Sequence, residues 1–283
     1  MTERRVDIAH LHFGFEHLPM DELDRWTHDL ERNGISLVYT VHDIDNPHLV
    51  DQSGYHRLAE LLVERADAVT TLTADAATRI EKRWGRTPVV IPHPPLAARP
   101  GPRVGRGRRP MVWLGTLRPN VDLDVVRTIV DTHDASVDVV IRADGWADAS
   151  PDTRAALLDA DEAGRIRLSI VERPSDEALE VLIASAGSLV LPYAWGTHSG
   201  LVELATDLGV PTVTTPTGCR GGQGAVVVDA DDLLRAARSA ASGDRPPVGR
   251  APSRSLRRVR QAHRMLYETV RSRHRRSTHR SNG

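Results

Sequence analysis

SLVLPY (Ser188–Tyr193), followed after three residues by THSGLVELATDLGVP (Thr197–Pro211), decides the fold. The first run is short, apolar and β-branched, as a buried strand is. Ser199-Gly200 then opens a helix, and Gly209-Val210-Pro211 ends it and starts the next strand. Strand, short loop, helix and strand in that order make a right-handed βαβ unit on a parallel sheet. The N-terminus of such a helix favours anions. Glu203 lies about one turn in, which puts a carboxylate beside an anion site. Counted from Ser199, Glu203 is one place too late for a Ser-x-x-Glu capping box. Either Gly200 caps and Glu203 bonds the backbone, or the carboxylate is there to accept bonds from ribose hydroxyls.

The same alternation extends in both directions. Towards the N-terminus, strands are expected at Val6–Leu11, Ser36–Val41, Ala68–Leu72 and Pro88–Ile91. The helices between them are expected at Met20–Asn33, Tyr55–Arg65 and Ala74–Trp84, with Gly34 and Gly85 placed to end two of them. Pro94–Pro110 (PPLAARPGPRVGRGRRP) is rich in Pro, Gly and Arg, has no apolar period and reads as a linker. The pattern then restarts, with strands at Met111–Leu114, Val137–Ile141, Ile166–Val171, Ser188–Leu191, Thr212–Thr214 and Ala225–Val228. Helices are expected near Asp122–Thr132, Ser150–Ala160, Ser175–Ala184, Gly200–Leu208 and Asp231–Ala241. The fold class is therefore α/β, with two parallel-sheet domains. The expected division is 1–97, a linker at 98–110, a second domain at 111–250, and a helix with a basic tail at 251–283. That helix spans Ser255–Arg271, and a tail without fixed structure follows it.

Bulk composition narrows the function classes. A net charge of −1 does not point to nucleic acid. Cys219 is the sole cysteine, so no intrachain disulfide and no cysteine-based zinc site forms, and a reducing cytoplasm fits. No apolar run approaches the ~20 residues that span a bilayer, and MTERRVDIAHLHF does not read as a signal peptide. Charge is unevenly placed: residues 254–283 hold ten arginines and one acidic residue, Glu268. A solvated helix is one reading of that stretch, and contact with anionic lipid is the other.

In open parallel sheets, ligands bind beyond the carboxyl ends of the strands. In the first domain those positions are His12, His42-Asp43, Thr73 and His93; in the second they are Gly115-Thr116, Asp144, Glu172-Arg173, Tyr193 and Thr215. His10 and His12 share a strand face, as a packed or solvent-facing pair, with no third and fourth metal ligand at a known spacing. In TVHD (Thr40–Asp43), the His-Asp pair is placed to orient an imidazole towards a ligand, or to serve structure alone. GTLRPN (Gly115–Asn120) follows a strand and is expected to open a helix, with Arg118 adding charge-assisted bonds to a phosphate; an ordinary βα turn is the alternative. There is no GxGxxG and no P-loop lysine.

The run from LVLPY through SGLVELATDLGVPTVTTPTG resembles the donor-site segment of retaining GT-B glycosyltransferases of the sucrose-synthase and mannosyltransferase type. LGTLRPN, YTVHD, ADAVTTLTADAATRI with VVIPHP, and the last helix with His263 and Tyr267 resemble further segments of that family, over roughly residues 6–270. The resemblance implies two Rossmann-like domains, an interdomain cleft, and a C-terminal helix packed back on the first domain. It implies a donor held by Gly115, Thr116, Arg118, Asn120, Tyr193, His198, Ser199, Gly200 and Glu203, with Glu203 on the ribose. His42 and Asp43 would serve catalysis, and His12 and His93 the acceptor side. It implies transfer with retention from a nucleotide sugar to a saccharide or lipid-linked acceptor, with no metal required. A cytoplasmic protein is expected, touching the inner membrane face through its arginines. Three features depart from the family pattern: Trp195 stands where its first glutamate falls, Val121 where its lysine falls, and the first domain is short. They favour, as the alternative, an inactive nucleotide-sugar binder or partner subunit; a nucleotide-sugar 2-epimerase is a third possibility.

Overall fold

A computed structural model describes residues 6–98, 109–131, 137–243 and 255–280. Most of the expected linker, 99–108, lies outside them, as do 251–254 and 281–283. The chain divides into two compact units. One comprises Met1–Asn46, Asp51–Pro94 and Ser253–Gly283; the other comprises Pro47–Val50 and Pro95–Pro252.

The first unit holds a sheet of four strands in the order β1-β2-β3-β4, all parallel. They are β1 (Ile8–Leu11), β2 (Ser36–Val41), β3 (Ala68–Thr71) and β4 (Val89–Val90). All of SLVYTV in β2 is buried, as a central strand covered on both faces requires. The connecting helices are α1 (Met20–Arg32), α2 (Ser53–Arg65) and α3 (Ala74–Trp84). The hydroxyl of Thr73 caps α3 by accepting from the Ala76 N–H, and Gly85, left-handed at φ 64°, ends it. The C-terminal helix, Leu256–Arg280, adds Val259, Leu266 and Val270 to a core with Val38 and Ile91. It therefore packs on this unit. It also runs nine residues past the expected end at Arg271, where no Gly or Pro interrupts SRHRRSTHR.

The second unit begins at Pro95, where the sequence reading kept 95–97 with the first. The reason is local: Asp207 accepts from the N–H groups of Leu96 and Ala97, and Glu180 from that of Ala98. Its strands are β5 (Pro110–Gly115), β6 (Asp138–Arg142), β7 (Arg167–Val171), β8 (Ser188–Leu191), β9 (Thr212–Thr214) and β10 (Val226–Val227). Its helices are α4 (Leu123–Asp131), α5 (Ala143–Asp148), α6 (Pro151–Glu162), α7 (Asp176–Ser185), α8 (Gly200–Asp207) and α9 (Leu233–Ser242). The all-parallel order β7-β6-β5-β8-β9-β10 is, counted within the unit, the 3-2-1-4-5-6 arrangement of the Rossmann fold. Apolar clusters cover both faces, one around Val112, Val139 and Val190 and the other around Met111, Val140 and Leu189. Alternating residues of the same strands feed the two clusters, as the pleat requires. The short helix α5 and the 3₁₀ turns at Arg220–Gln223 and Ala230–Asp232 were not expected from the sequence. Among the described residues, no helix is long and apolar enough to cross a membrane.

Candidate functional site

In a 3-2-1-4-5-6 sheet, the direction of winding reverses between the first and fourth strands, and the loops leaving them part to form a crevice. Here those strands are β5 and β8. Their loops carry Gly115–Asp122 and Pro192–Ser199, which contain seven of the nine expected donor residues: Gly115, Thr116, Arg118 and Asn120 leave β5, and Tyr193, His198 and Ser199 leave β8, while Gly200 and Glu203 lie on α8.

The β5 loop turns sharply. Gly115 is left-handed at φ 58°, and Leu117 is left-handed at φ 49°, a conformation that costs a branched side chain about 1–2 kcal/mol. Such strain persists only where surrounding contacts hold it. One of them is Gly145 of α5, whose Cβ, if it had one, would lie 2.6 Å from the Gly115 carbonyl oxygen and 2.7 Å from Thr116. Arg118 is exposed at the tip of the turn. The expected helix start at Gly115–Asn120 does not form. The helix begins at Leu123, and the Asp122 carboxylate already accepts from the N–H groups of Asp124 and Val125. The Asp122 carboxylate thus occupies the N-terminus of α4, and Arg118 stands apart from it on the preceding turn.

Asn120 lies in the same loop. It is 3% exposed, and its Nδ2 donates to the Trp195 carbonyl at 3.0 Å. Together with Ala194 N–H to Asn120 O, Asp122 N–H to Pro192 O and an antiparallel bridge between Val121 and Tyr193, it zips the two loops together. Asn120 thus ties the two loops together through its Nδ2 and its carbonyl.

The segment after β9 clamps the β8 loop from the other side. Thr215 and Thr217 donate their hydroxyls to the Tyr193 carbonyl, and the Cys219 N–H donates to the Thr197 carbonyl. Arg220 is 1% exposed, lies over the Tyr193 ring and donates to Thr214 and Thr217. Burial pushes the Tyr193 phenol up in pKa, while Arg118, Arg220 and a hydrogen bond with Ser199 oppose that shift.

Ser199 is the N-cap of α8 but makes no side-chain cap bond; its N–H donates to Gln223 Oε1. Gln223 Nε2 in turn donates to the Ser199 carbonyl and, at 2.6 Å, to Glu203 Oε1. Glu203 is 3% exposed, so the carboxylate expected near the anion end is an interior group held by an amide. Neither Arg220 nor Gln223 stood out in the sequence. Gln223 lies far along the chain from Ser199 and Glu203, as Arg220 does from the Tyr193 ring, and no spacing rule connects them.

In the first unit, the strand-end histidines form one cluster. His10 bonds Tyr267 OH through Nδ1 and Thr40 Oγ1 through Nε2, both at 2.7 Å. Thr40 continues to Thr70 at 2.6 Å. His12 Nδ1 and His42 Nε2 are 2.9 Å apart, so one ring donates and the other accepts. His263 lies 5.9 Å from His10, centroid to centroid. Burial, then His12 and His263, lower the His10 pKa to about 4; burial, then His263 and His93, lower that of His12. The His10 ring is therefore neutral near pH 7 and suited to exchanging hydrogen bonds with hydroxyls. The Asp43 carbonyl accepts from Tyr55 OH, and the His93 Nδ1 lies 2.7 Å from the Pro94 carbonyl. The His42 ring meets His12 on the neighbouring strand. Among the described residues, no group of three or more His, Cys, Asp or Glu has the geometry to hold a metal ion.

No protein-family model and no curated protein sequence matches the chain. Solved structures do. Anabaena HepE in complex with UDP superposes with a TM-score of 0.61 at 12% identity, covering 92% of this chain and 78% of that one. Sucrose-phosphate synthase from Thermosynechococcus elongatus gives 0.58 at 11% identity, covering 93% and 73%. The pneumococcal O-GlcNAc transferase GtfA in complex with UDP and GlcNAc gives 0.57 at 12% identity, covering 86% and 54%. At these identities the likeness is one of fold, and that fold is the GT-B fold of glycosyltransferases.

Proposed function

We propose that the chain transfers a sugar, with retention, from a nucleotide-diphosphate donor to a saccharide or lipid-linked acceptor. The observation that carries this reading is the β5/β8 crevice. It combines a Rossmann strand order with a strained, tightly packed loop bearing Arg118 and a helix start that no side chain caps. In this reading Arg118 and the first turn of α8 meet the diphosphate charge, Glu203 serves the ribose, and no metal is required. His12, His42, Asp43 and His93 lie on the acceptor side, with His42 nearest the reacting hydroxyl. Solved structures of the same fold hold UDP or UDP-glucose, which supports a nucleotide sugar as the ligand class.

A second reading, a nucleotide-sugar binder without turnover, is favoured by one observation. Val121, where the resemblance leads one to expect lysine, is a buried core residue bridged to Tyr193. A melting-temperature titration with UDP, GDP, ADP and their sugars tests both, because a ligand of the folded state raises the transition by mass action. The expected result is a shift for one nucleotide, unchanged by EDTA and weakened about tenfold in affinity by Arg118→Ala. No shift for any nucleotide sinks both readings. A shift with no donor cleavage, even as slow hydrolysis, selects the second.

The C-terminal helix exposes Arg257, Arg258, Arg260 and Arg264. We propose that these make a peripheral contact with anionic lipid at the cytoplasmic membrane face, each adding about 1 kcal/mol near such a surface. Co-sedimentation with phosphatidylglycerol vesicles, lost when the four are changed to glutamine, is the expected outcome; equal sedimentation removes the idea.

A further inference from the structure

The chain has two phenylalanines, two residues apart, in opposite surroundings. Phe15 is buried, edge-on to Tyr39 at 5.6 Å and stacked with Tyr55 at 5.8 Å between centroids. Phe13 is 58% exposed. A single exposed apolar side chain needs no explanation by itself. Phe13, however, is held in place: its ring stacks on the His42 imidazole, with centroids 4.2 Å apart and planes 24° from parallel. His42 is in turn tied to His12 at 2.9 Å. The loop is closed by Gly14, left-handed at φ 91°, whose N–H donates to the Glu16 carboxylate. All of this lies beyond the carboxyl end of β1, beside β2, where parallel sheets present ligand-binding groups.

We propose that the outer face of Phe13 is a stacking platform for one sugar ring of the acceptor, with His12 and Glu16 supplying hydrogen-bonding partners for its hydroxyls. This rests on the reading that the first unit receives the acceptor. The C–H face of a pyranose is apolar and weakly positive, and the face of an aromatic ring is negative. The hydroxyls around the sugar's edge need a few placed polar groups, and His12, His42 and Glu16 belong to the same strand ends and loop. An acyl chain would need a continuous apolar track, whereas the ring beneath Phe13 and its partner are imidazoles.

The test uses the full chain, fluorescently labelled, on a glycan array read with and without saturating UDP, and on vesicles of phosphatidylglycerol and phosphatidylcholine. Wild type is expected to bind a defined subset of glycans. Phe13→Ala is expected to weaken that binding about tenfold and Phe13→Trp to retain it, with the UDP melting shift equal in all three. Undiminished glycan binding by Phe13→Ala, no glycan binding by wild type, or vesicle binding that depends on Phe13 overturns the proposal. Should Phe13→Ala lower the melting temperature itself, Phe13→Leu replaces it, keeping the bulk without the ring; full binding by that variant also overturns it. The array without nucleotide does not depend on the donor site. Absence of a UDP shift in wild type therefore strikes the donor reading alone.

Discussion

The guanidinium of Arg220 lies 5.1 Å from the centroid of the Tyr193 ring, and the same side chain donates to the hydroxyls of Thr214 and Thr217. A buried cation over an aromatic face, with its N–H groups met by hydroxyls, locks the segment after β9 to the loop after β8. Arg220→Met keeps bulk but removes every donor. It is expected to lower unfolding free energy by about 2–4 kcal/mol, because the two threonine hydroxyls and the Tyr193 ring lose their partner together. Urea denaturation checks this; a loss within error would show that the arginine is dispensable to the clamp.

Gln223 makes three bonds, two to the backbone of Ser199 and one to Glu203. Replacing it by leucine leaves a buried carboxylate short of a donor and loosens the first turn of α8. The expected cost is about 2 kcal/mol, with a weaker nucleotide-dependent melting shift. Gln223→Glu places two carboxylates together and is expected to cost more than leucine at pH 7 and to recover on acidification.

Gly145 and Gly164 make a controlled pair. A methyl at Gly145 would press on the backbone of Gly115 and Thr116, while one at Gly164 meets nothing within 4 Å but must adopt φ 68°. Gly145→Ala is expected to cost about 1–3 kcal/mol by overpacking and to weaken nucleotide binding, since the displaced loop carries Arg118. Gly164→Ala is expected to cost about 1 kcal/mol through backbone strain and to leave binding unchanged. Equal binding by both variants would separate the β5 loop from the ligand.

The histidine cluster sets an acid limit on stability. His10 is held at about 4, below the ordinary 6.5, so the fold favours its neutral form. The unfolded chain takes up that proton first as pH falls. The contribution is therefore fully present above 6.5 and lost between 6.5 and about 4. His10 is only partly buried, so after solvent screening the loss is about 1–2 kcal/mol. Urea midpoints compared at about pH 7.5 and about pH 5 should fall by that amount in wild type and by less in His10→Asn. A similar fall in the variant would assign the acid sensitivity to other groups.

The strands were legible because each is a short β-branched run bounded by polar or glycine-containing turns, and β5 to β10 fall where those runs lie. The order of the strands was not legible, since hydrogen-bonded neighbours such as β5 and β8 are separated by two other strands in sequence. The candidate site was legible as a set of loop positions but not as individual roles. Asn120 and Glu203 carry polar groups suited to a ligand, but their burial and their bonds to Trp195 and Gln223 follow from contacts between loops that no motif announces. GTLRPN suggested a helix start that Asp122 delays, because the aspartate supplies the cap just beyond that run. Gly145 carried no motif at all; its requirement comes from a backbone thirty residues away.

The first unit draws its core from both ends of the chain. Val38 and Ile91 are covered by Val259, Leu266 and Val270 of the C-terminal helix. Domains ordinarily mature in the order in which they leave the ribosome. Here the second unit, Pro95–Pro252, can complete its own core while the first still waits for residues not yet translated. The half that is synthesised first is therefore the half that matures last. A nascent chain stalled before residue 255 would display an apolar sheet face, an opening for chaperones that closes only when the final turns of helix dock.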